Sequence, residues 1–565
     1  MAVYKPKTTT SPSRNGFDLT YRTTFTTAGC QLLPVMSKPM IPGDKFRLKL
    51  ANLTNAENLN KAAFARLEEH YDVFFVPMKQ LWRSFDDFMK QTNEGTSMAD
   101  QTWQNAGTNF VPSEVPNFNI FTWYKDLEAN YEDQTWVDEL GYDRMTSIRK
   151  LLDYLGYSNQ LHELLQAEPN VSAYYLNLWP ALAYQKIYND FYRDQNWERV
   201  QVGSFNVDDY ISSQQVITST LRLNEIFRLR YVNLKKDYFT GLYPSPTFGD
   251  VSLISGPVVS SNFTSANQSA SSNMYVAGSS NTNYADGQLF NTNANIGGFK
   301  AQISLLELWQ ARALQRWKDV TLSNRKDYAS QLKAHFGVKP SDTCTTTVRF
   351  EGGFTNNMDI EQVVSTTPGS AGELGQVGSN LRGFHASAKD ETIEISSGDE
   401  YGICMVIYYI LPLPDISAFG IDRHNTKLVP TDYPMAEFEN VGLQAIEQTE
   451  LNLLNANNVG TYLSLFPLGY SNRYLEYKGA YDVVHDDFCY GKSKQEYVVT
   501  FTPQVQSVGN ANPNTNYLYF KANPHMLDNI FAIPYDGSRA TEPFRNTTYI
   551  NLTSVRNLSV DGMPY

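Results

Sequence analysis

The chain has 565 residues, of which 42% are hydrophobic, 13% aromatic and only 19% charged. This apolar content supplies a sizeable core and excludes a disordered chain. The formal net charge is −13, from 46 basic and 59 acidic residues. That balance excludes a protein that binds nucleic acid because it is basic throughout, but it leaves a local basic patch open.

Two features argue against an exported or membrane-inserted chain. The first residues carry basic side chains with no apolar run behind them, so they predict no signal peptide. The longest apolar run, residues 403–413, is too short to span a bilayer and predicts a buried strand.

The four cysteines form no CxxC pair, which predicts free buried thiols in a reducing compartment. They are Cys30, Cys344, Cys404 and Cys489.

Residues 1–78 carry the period-two pattern of β-strands that bury one face. Apolar and polar residues alternate over residues 17–25, and again over residues 46–50 after the turn at residues 42–44. Residues 71–76 (YDVFFV) are apolar on both faces. Such a run predicts a central strand between two layers.

From Leu81 the spacing becomes helical, and residues 79–250 are predicted to form a mostly helical insertion. Residues 251–299 differ sharply, because they contain a single charged residue, Asp286, and many Ser and Asn. A segment with so few regularly spaced apolar residues cannot form a hydrophobic core. We therefore predict that it is a surface insertion.

Residues 300–565 predict a helix, the remaining strands and a C-terminal arm. Ser304 and Glu307 fit a capping box at the start of the helix. Its apolar stripe is predicted to be buried, with a partner-binding face as the alternative. The stripe consists of Ile303, Leu306, Trp309, Ala313, Trp317 and Val320.

No motif for chemistry is present in the sequence. His162-Glu163 lacks the second histidine of a zinc site, and Gly491-Lys492-Ser493 lacks the upstream glycine of a phosphate-binding loop. No nucleophile elbow or dinucleotide fingerprint occurs. We therefore predict no enzyme, no cofactor and no metal site.

Five ordered motifs resemble the signatures of the major capsid proteins of the Microviridae, with the gokushovirus-like and alpavirus-like phages as the nearest groups. They cover both ends and the middle of the chain, whereas residues 90–300 carry little of the resemblance. The motifs occupy residues 13–46, 68–89, 336–342, 351–354 together with 360–366, and 558–565.

The resemblance implies a mainly β chain: a single eight-stranded antiparallel jelly roll, a β-sandwich with long helical and irregular insertions, spanning residues 1–565. It implies a T=1 icosahedral shell of sixty copies around a circular single-stranded DNA genome, assembled in the host cytoplasm. The implied partners are a small basic packaging protein, a minor pilot protein and a receptor on the bacterial host surface. The competing class is a cell-surface glycan-binding protein, which abundant Tyr, Trp and Asn would also suit.

Sixty subunits of charge −13 would repel DNA, so basic residues must be segregated. The two ends of the chain are predicted to point inward and contact phosphates, with Tyr4 and Phe544 available for stacking on bases. The alternative is that the N-terminal arm is merely disordered. The predicted contact residues are Lys5, Lys7, Arg14, Arg539, Arg545 and Arg556.

The resemblance also implies that residues 251–299 project from the shell near its three-fold axes, where three copies would share a small apolar centre. We predict an exposed protrusion with a role in host attachment, since Ser, Asn and Tyr suit adaptable recognition surfaces. The alternative is a solvated loop that tolerates drift. The residues of the predicted centre are Val258, Val259, Phe263, Met274, Tyr275, Val276 and Phe290.

Overall fold

The structure is a computed structural model of the full chain. The residues that it describes are 14–59, 63–90, 114–129, 138, 140–168, 171, 173–208, 216–247, 305–338, 347–363, 378–386, 392–439, 441–453, 467–490, 497–501 and 520–560.

The described residues form seventeen strands and ten α-helices. The strands are β1 (Asn15–Asp18), β2 (Tyr21–Thr27), β3 (Leu33–Met40), β4 (Lys45–Asn58), β5 (Leu67–Pro77), β6 (Asn117–Asn119), β7 (Tyr175–Asn177), β8 (Arg349–Val363), β9 (Gly378–Ala386), β10 (Ile393–Ser396), β11 (Gly402–Pro412), β12 (Asp415–Ser417), β13 (Leu443–Glu447), β14 (Pro467–Asn472), β15 (Val483–Val484), β16 (Thr500–Phe501) and β17 (Phe544–Arg556). The helices are α1 (Phe85–Lys90), α2 (Ile120–Ala129), α3 (Arg144–Tyr154), α4 (Leu161–Ala167), α5 (Trp179–Ile187), α6 (Thr220–Ile226), α7 (Leu305–Ser323), α8 (Tyr328–Phe336), α9 (Gln448–Leu451) and α10 (Asp487–Tyr490).

Helix and strand contribute about equally to the described residues. The prediction of a mainly β chain was therefore too strong, although many antiparallel strands are present. The physical reason is that α1 to α6 all lie between β5 and β8, where the chain leaves the sheets for a long excursion.

The chain divides into two compact units. The first comprises residues 1–246 and 341–565, and it contains every strand together with eight of the helices described. The second comprises residues 247–340, of which the structure describes mainly α7 and α8.

Ten strands of the first unit form one continuous path of hydrogen-bonded neighbours, ordered β1-β17-β4-β9-β8-β5-β11-β3, with β2 on β17 and β10 on β4. Every pair in it is antiparallel. The long strand β8 pairs with β5 through its first half and with β9 through its second. It thereby joins two halves, which we call the β4 sheet (β1, β2, β17, β4, β10 and β9) and the β11 sheet (β3, β11 and β5).

The two sheets face each other across a common core. Tyr71 of β5 hydrogen-bonds Thr548 of β17 at 2.7 Å, and the rings of Phe25 on β2 and Tyr408 on β11 meet edge to face with centroids 5.0 Å apart. Both contacts join strands that are far apart along the path of neighbours. The arrangement is therefore a sandwich of two layers.

The β11 sheet is covered on both faces. Every residue of β11 is buried, because the sandwich core lies on one side and the helical excursion on the other. Helix α5 contacts β5 and β11, and α3 contacts β3. Residues 71–76 lie in β5 between β8 and β11, so the prediction of a central strand is confirmed.

Helix α3 begins at a well-formed cap and is joined to the sandwich by a buried ion pair. The Asp143 carboxylate accepts hydrogen bonds from the backbone N–H groups of Met145 (3.2 Å) and Thr146 (3.1 Å), which satisfies donors that a helix start leaves open. Lys150 in the same helix pairs with Glu542, just before β17, and donates to Gln31 at 2.7 Å.

The second unit contradicts one prediction from the sequence. Helix α7 is present, but its apolar stripe is not buried: Leu306, Trp309 and Trp317 are 62%, 60% and 49% exposed. The pattern alone predicts an apolar stripe, but it cannot say whether the stripe is covered by the same chain. Ser304 of the predicted capping box lies outside the described residues.

Cys30, Cys404 and Cys489 are free and buried, as predicted, and Cys344 lies outside the described residues. Burial raises the pKa of the Cys30 and Cys404 thiols well above the ordinary value. None of the described helices is long and apolar enough to cross a membrane.

Candidate nucleic-acid interface

The outward face of the β4 sheet carries a group of basic side chains. In β4, the apolar residues Phe46, Leu48 and Leu50 are buried, and period-two alternation turns Lys45, Arg47 and Lys49 to the opposite face. Lys45 and Arg47 are exposed and Lys49 is half-buried.

The register of the neighbouring strands extends this group. Directly paired residues in an antiparallel sheet point to the same face. Tyr549 of β17 pairs with Arg22 of β2 on one side and with Ala51 of β4 on the other. Arg545 of β17 lies four residues from Tyr549 and therefore also points outward. We call this surface the basic face; it consists of Arg22, Lys45, Arg47, Lys49, Arg545 and Tyr549.

The basic face has a surplus of positive charge in a chain of net charge −13. Among the residues that the structure describes, three acidic ones share it: Asp18, Glu57 and Glu394. Arg47 pairs with Glu394 at 2.7 Å, and Arg545 pairs with Glu57. Exposed pairs of this kind contribute about 0–1 kcal/mol, so a phosphate can displace the carboxylate at little cost.

The other three cations, Arg22, Lys45 and Lys49, form no ion pair with any residue that the structure describes. Their charges are therefore not neutralised by a described side chain. Arg22 pairs directly with Tyr549, whereas Lys45 lies six residues along β4 from Ala51, the partner of Tyr549, which is about 20 Å at the rise of a β-strand. Proteins that bind single-stranded nucleic acid combine cations that contact the backbone with exposed rings that stack on bases.

Tyr549 supplies such a ring. It is 47% exposed and lies among the basic residues. Phe544, by contrast, is fully buried and packs edge to face on Phe531 with centroids 5.4 Å apart. The prediction that Phe544 is available for stacking is therefore wrong, because its position in β17 points into the core, whereas Tyr549, five residues later, points outward.

The structure brings two of the predicted phosphate-contacting residues together. Arg14 donates to the carbonyl of Gly43 at 3.0 Å, and Arg556 lies 3.2 Å from the carboxylate of Asp44. Burial raises the pKa of the Asp44 carboxyl, and the backbone N–H of Ile41 and the two guanidinium groups offset part of that shift. Arg556 also lies over the ring of Phe46, 5.1 Å from its centroid, and its side chain is far less exposed than that of Arg545.

The remaining predicted residues lie apart from that pair. Arg545 is eleven residues from Arg556 in the same strand, roughly 36 Å at the rise of a β-strand. Arg539 is exposed in the turn before β17. Lys5, Lys7 and Tyr4, and the seven residues of the predicted protrusion, lie outside the described residues.

Sequence reasoning did not select Arg22, Lys45, Arg47, Lys49 or Tyr549. A signal was available, because the run KFRLKL at residues 45–50 alternates basic with apolar residues. An alternation of that kind predicts a strand with one basic face. The pairing of β4 with β17 and β2, which completes the basic face, is not visible in the sequence.

The first unit is thus a two-layer antiparallel sandwich with helices on one side and exposed basic side chains on the other. Comparison with known proteins identifies the family. A family model described as capsid protein (F protein) matches residues 7–115 and 149–565, so the chain belongs to this family of phage capsid proteins. The matched residues include most of residues 90–300, the stretch in which the sequence motifs show little resemblance to the family.

A similar protein of known identity supports the same family assignment. The chain is 21% identical to capsid protein VP1 of Chlamydia phage 1 over 536 residues, which covers 82% of each chain. The resemblance to Microviridae major capsid proteins is therefore confirmed. The family is structural and not enzymatic, its members are components of the virion, and a capsid protein forms its shell from many copies of itself.

Proposed function

We propose that this chain folds as a single eight-stranded jelly roll that assembles, sixty copies at a time, into a T=1 icosahedral shell enclosing a circular single-stranded DNA genome. The family membership and the two-layer antiparallel sandwich support the proposal. The observation that carries the genome-enclosing part is the basic face on the open side of the β4 sheet.

In this proposal the basic face points into the shell and the helix-covered side of the sandwich points outward or toward neighbouring subunits. An overall charge of −13 requires such segregation, since DNA would otherwise be repelled by the shell. The predicted terminal residues Lys5, Lys7, Arg14 and Arg539 would add contacts around the basic face. A small basic packaging protein would neutralise much of the remaining phosphate charge, and a minor pilot protein would complete the particle.

Exposed apolar side chains support contacts with several neighbours. The segment of residues 428–441 exposes large apolar side chains, among them Leu428 (87%) and Val441 (54%). Apolar surface of this kind is typical of interfaces in obligate assemblies. Assembly in the host cytoplasm and attachment to a bacterial surface receptor complete the proposal.

Replacement of three unpaired cations tests the genome-facing role. The variant Arg22→Gln, Lys45→Gln and Lys49→Gln should assemble into shells that contain at most half the DNA of wild-type particles. The control is Lys235→Gln, Lys236→Gln and Lys478→Gln, which removes the same charge from residues paired with Glu68, Asp194 and Glu439. The measurement is extracted DNA per unit of protein in purified particles.

Binding of the purified subunit to a single-stranded oligonucleotide provides a second readout. Loss of three phosphate contacts should reduce the slope of log affinity against log salt by roughly 2. Particles with unchanged DNA content and an unchanged slope would contradict the role of the basic face. If the wild-type chain forms no shells and instead binds glycans as a monomer, the glycan-binding alternative replaces the whole proposal.

A further inference from the structure

Helix α7 presents more apolar surface to solvent than a helix of an isolated subunit normally does. Five large apolar side chains in its first ten residues are 47% to 62% exposed. They are Leu305, Leu306, Leu308, Trp309 and Leu314. Fully covering one such side chain stabilises a protein by about 1.5–3 kcal/mol, so leaving five uncovered forgoes a large stabilisation.

The exposed residues have a definite arrangement on the helix. Successive residues of an α-helix are turned by about 100°, so Leu306, Trp309 and Ala313 follow one another along one side, which we call the α7 stripe. Arg312 and Arg316 flank the stripe. Leu308 and Leu314 lie outside it, each turned away from the Trp309–Ala313 line by roughly 120°.

Within the second unit, α8 packs against only the last part of α7. The ring of His335 stacks on Trp317 with centroids 6.1 Å apart, and Thr321 lies 3.2 Å from the His335 ring nitrogen. Helix α8 then ends at Gly337, whose φ of +69° is the left-handed conformation that glycine adopts readily. The amino-terminal half of α7, where Leu306 and Trp309 lie, is beyond that contact.

We propose that the α7 stripe is a subunit interface, covered in the assembled shell by a second copy of this chain. The inference rests on the shell-forming function, because a shell places other copies of the same chain against each subunit. The area that Leu306, Trp309 and Ala313 expose is on the order of 300 Å², which is within the range of the largest apolar patch of a typical monomer and more than a third of the roughly 800 Å² that one partner contributes to a stable interface.

The composition of the stripe supports a protein occupant. Trp and Arg are the residue types that most often dominate the binding energy of protein interfaces, and here Trp309 lies beside Arg312 and Arg316. A bilayer is a poor alternative, because α7 also carries Glu307, Lys318 and Asp319 and is not apolar enough to span a membrane.

A matched pair of variants tests this interface in the full-length chain. Leu306→Ser with Trp309→Ser should raise the protein concentration needed for shell assembly at least tenfold, while the subunit stays folded by circular dichroism. The control, Leu308→Ser with Leu314→Ser, removes two exposed apolar side chains from the other sides of the same helix and should assemble as the wild type does. Normal assembly of the stripe variant would overturn the proposal, and so would loss of its fold.

A crosslinking experiment identifies the occupant directly. A photoreactive benzoylphenylalanine in place of Trp309 should give a product of twice the chain mass when assembled particles are irradiated, and the same group in place of Leu314 should not. A crosslink only within the chain would overturn the proposal. Both experiments include wild-type shells as a reference. If the wild type assembles normally, a negative result for α7 contradicts the proposed interface and leaves the shell-forming function unaffected.

Discussion

At the scale of single residues, the two sheets are joined by a buried carboxylate. Glu69 of β5 is fully buried and accepts hydrogen bonds from Asn52 (2.7 Å), Tyr408 (2.8 Å) and Asn546 (3.1 Å), and also from Thr54. These donors come from β4, β11 and β17, so one side chain links both layers. A buried carboxyl group is tolerated because hydrogen-bond donors surround it.

Replacement of Glu69 by Gln should lower the free energy of unfolding by about 1–3 kcal/mol, because the new amide N–H group would face donors and leave at least one of them without an acceptor. The matched control is Glu439→Gln, since Glu439 forms an exposed pair with Lys478 at 2.9 Å and should change stability by under about 1 kcal/mol. Denaturant unfolding followed by tryptophan fluorescence measures both. Equal effects of the two variants would show that Glu69 has no special role.

Residue-level prediction from the sequence succeeded where alternation decides the environment and failed where pairing does. The alternation over residues 46–50 correctly places Phe46, Leu48 and Leu50 in the core. It gives no reason to expect a buried Glu69, because the donors that satisfy it are brought there by strands distant in sequence. The alternation over residues 45–50 does indicate one basic side of β4, but Arg22 and Tyr549 become part of the basic face only through the pairing of β2 and β4 with β17.

At the scale of elements, the buried pair between Lys150 and Glu542 attaches helix α3 to the sandwich. Both side chains are at most 5% exposed. Thr26 of β2 also donates to Glu542, and burial lowers the pKa of Lys150 even though the Glu542 carboxylate opposes that shift. The pair therefore holds together two parts of the chain that are nearly 400 residues apart.

The variant Lys150→Met should destabilise the subunit by about 3–5 kcal/mol, because it leaves the Glu542 carboxylate buried without its cation. The double variant Lys150→Met with Glu542→Gln removes that charge and keeps an acceptor for Thr26, so it should recover about 2 kcal/mol of the loss. Thermal or denaturant unfolding of the three chains gives the comparison. A double variant no more stable than Lys150→Met would mean that the lost packing of Lys150, not the stranded charge, causes the effect.

Element-level prediction was accurate for strands and incomplete for helix α7. The central strand at residues 71–76 and the helix at residues 305–323 both exist. The prediction that the apolar stripe of α7 is buried was wrong, because such a stripe has the same period whether it packs on its own chain or on another one. The proposed subunit interface on α7 would reconcile the apolar stripe with its exposure in the single chain.

At the scale of the whole molecule, the two sides of the sandwich have different chemistry. Helices cover the outer side of the β11 sheet, whereas the basic face occupies the open side of the β4 sheet. A closed shell has an inside and an outside, and a subunit with two such distinct sides suits that asymmetry.

Residues 251–299 lie outside the described residues, so their role stays a prediction from the sequence. With one charged residue and many Ser and Asn, the segment cannot bury enough apolar area to be stable as a separate domain, so it must be displayed on the shell or ordered by contact with copies of itself. We therefore expect a protrusion used for host attachment.

Replacing residues 260–296 by a short Gly-Ser linker should leave shell assembly and DNA content unchanged and reduce adsorption to host cells at least tenfold. The control is an insertion of the same linker after residue 260 with no deletion. Loss of assembly would instead assign the segment to subunit contacts, and normal adsorption would exclude a role in attachment.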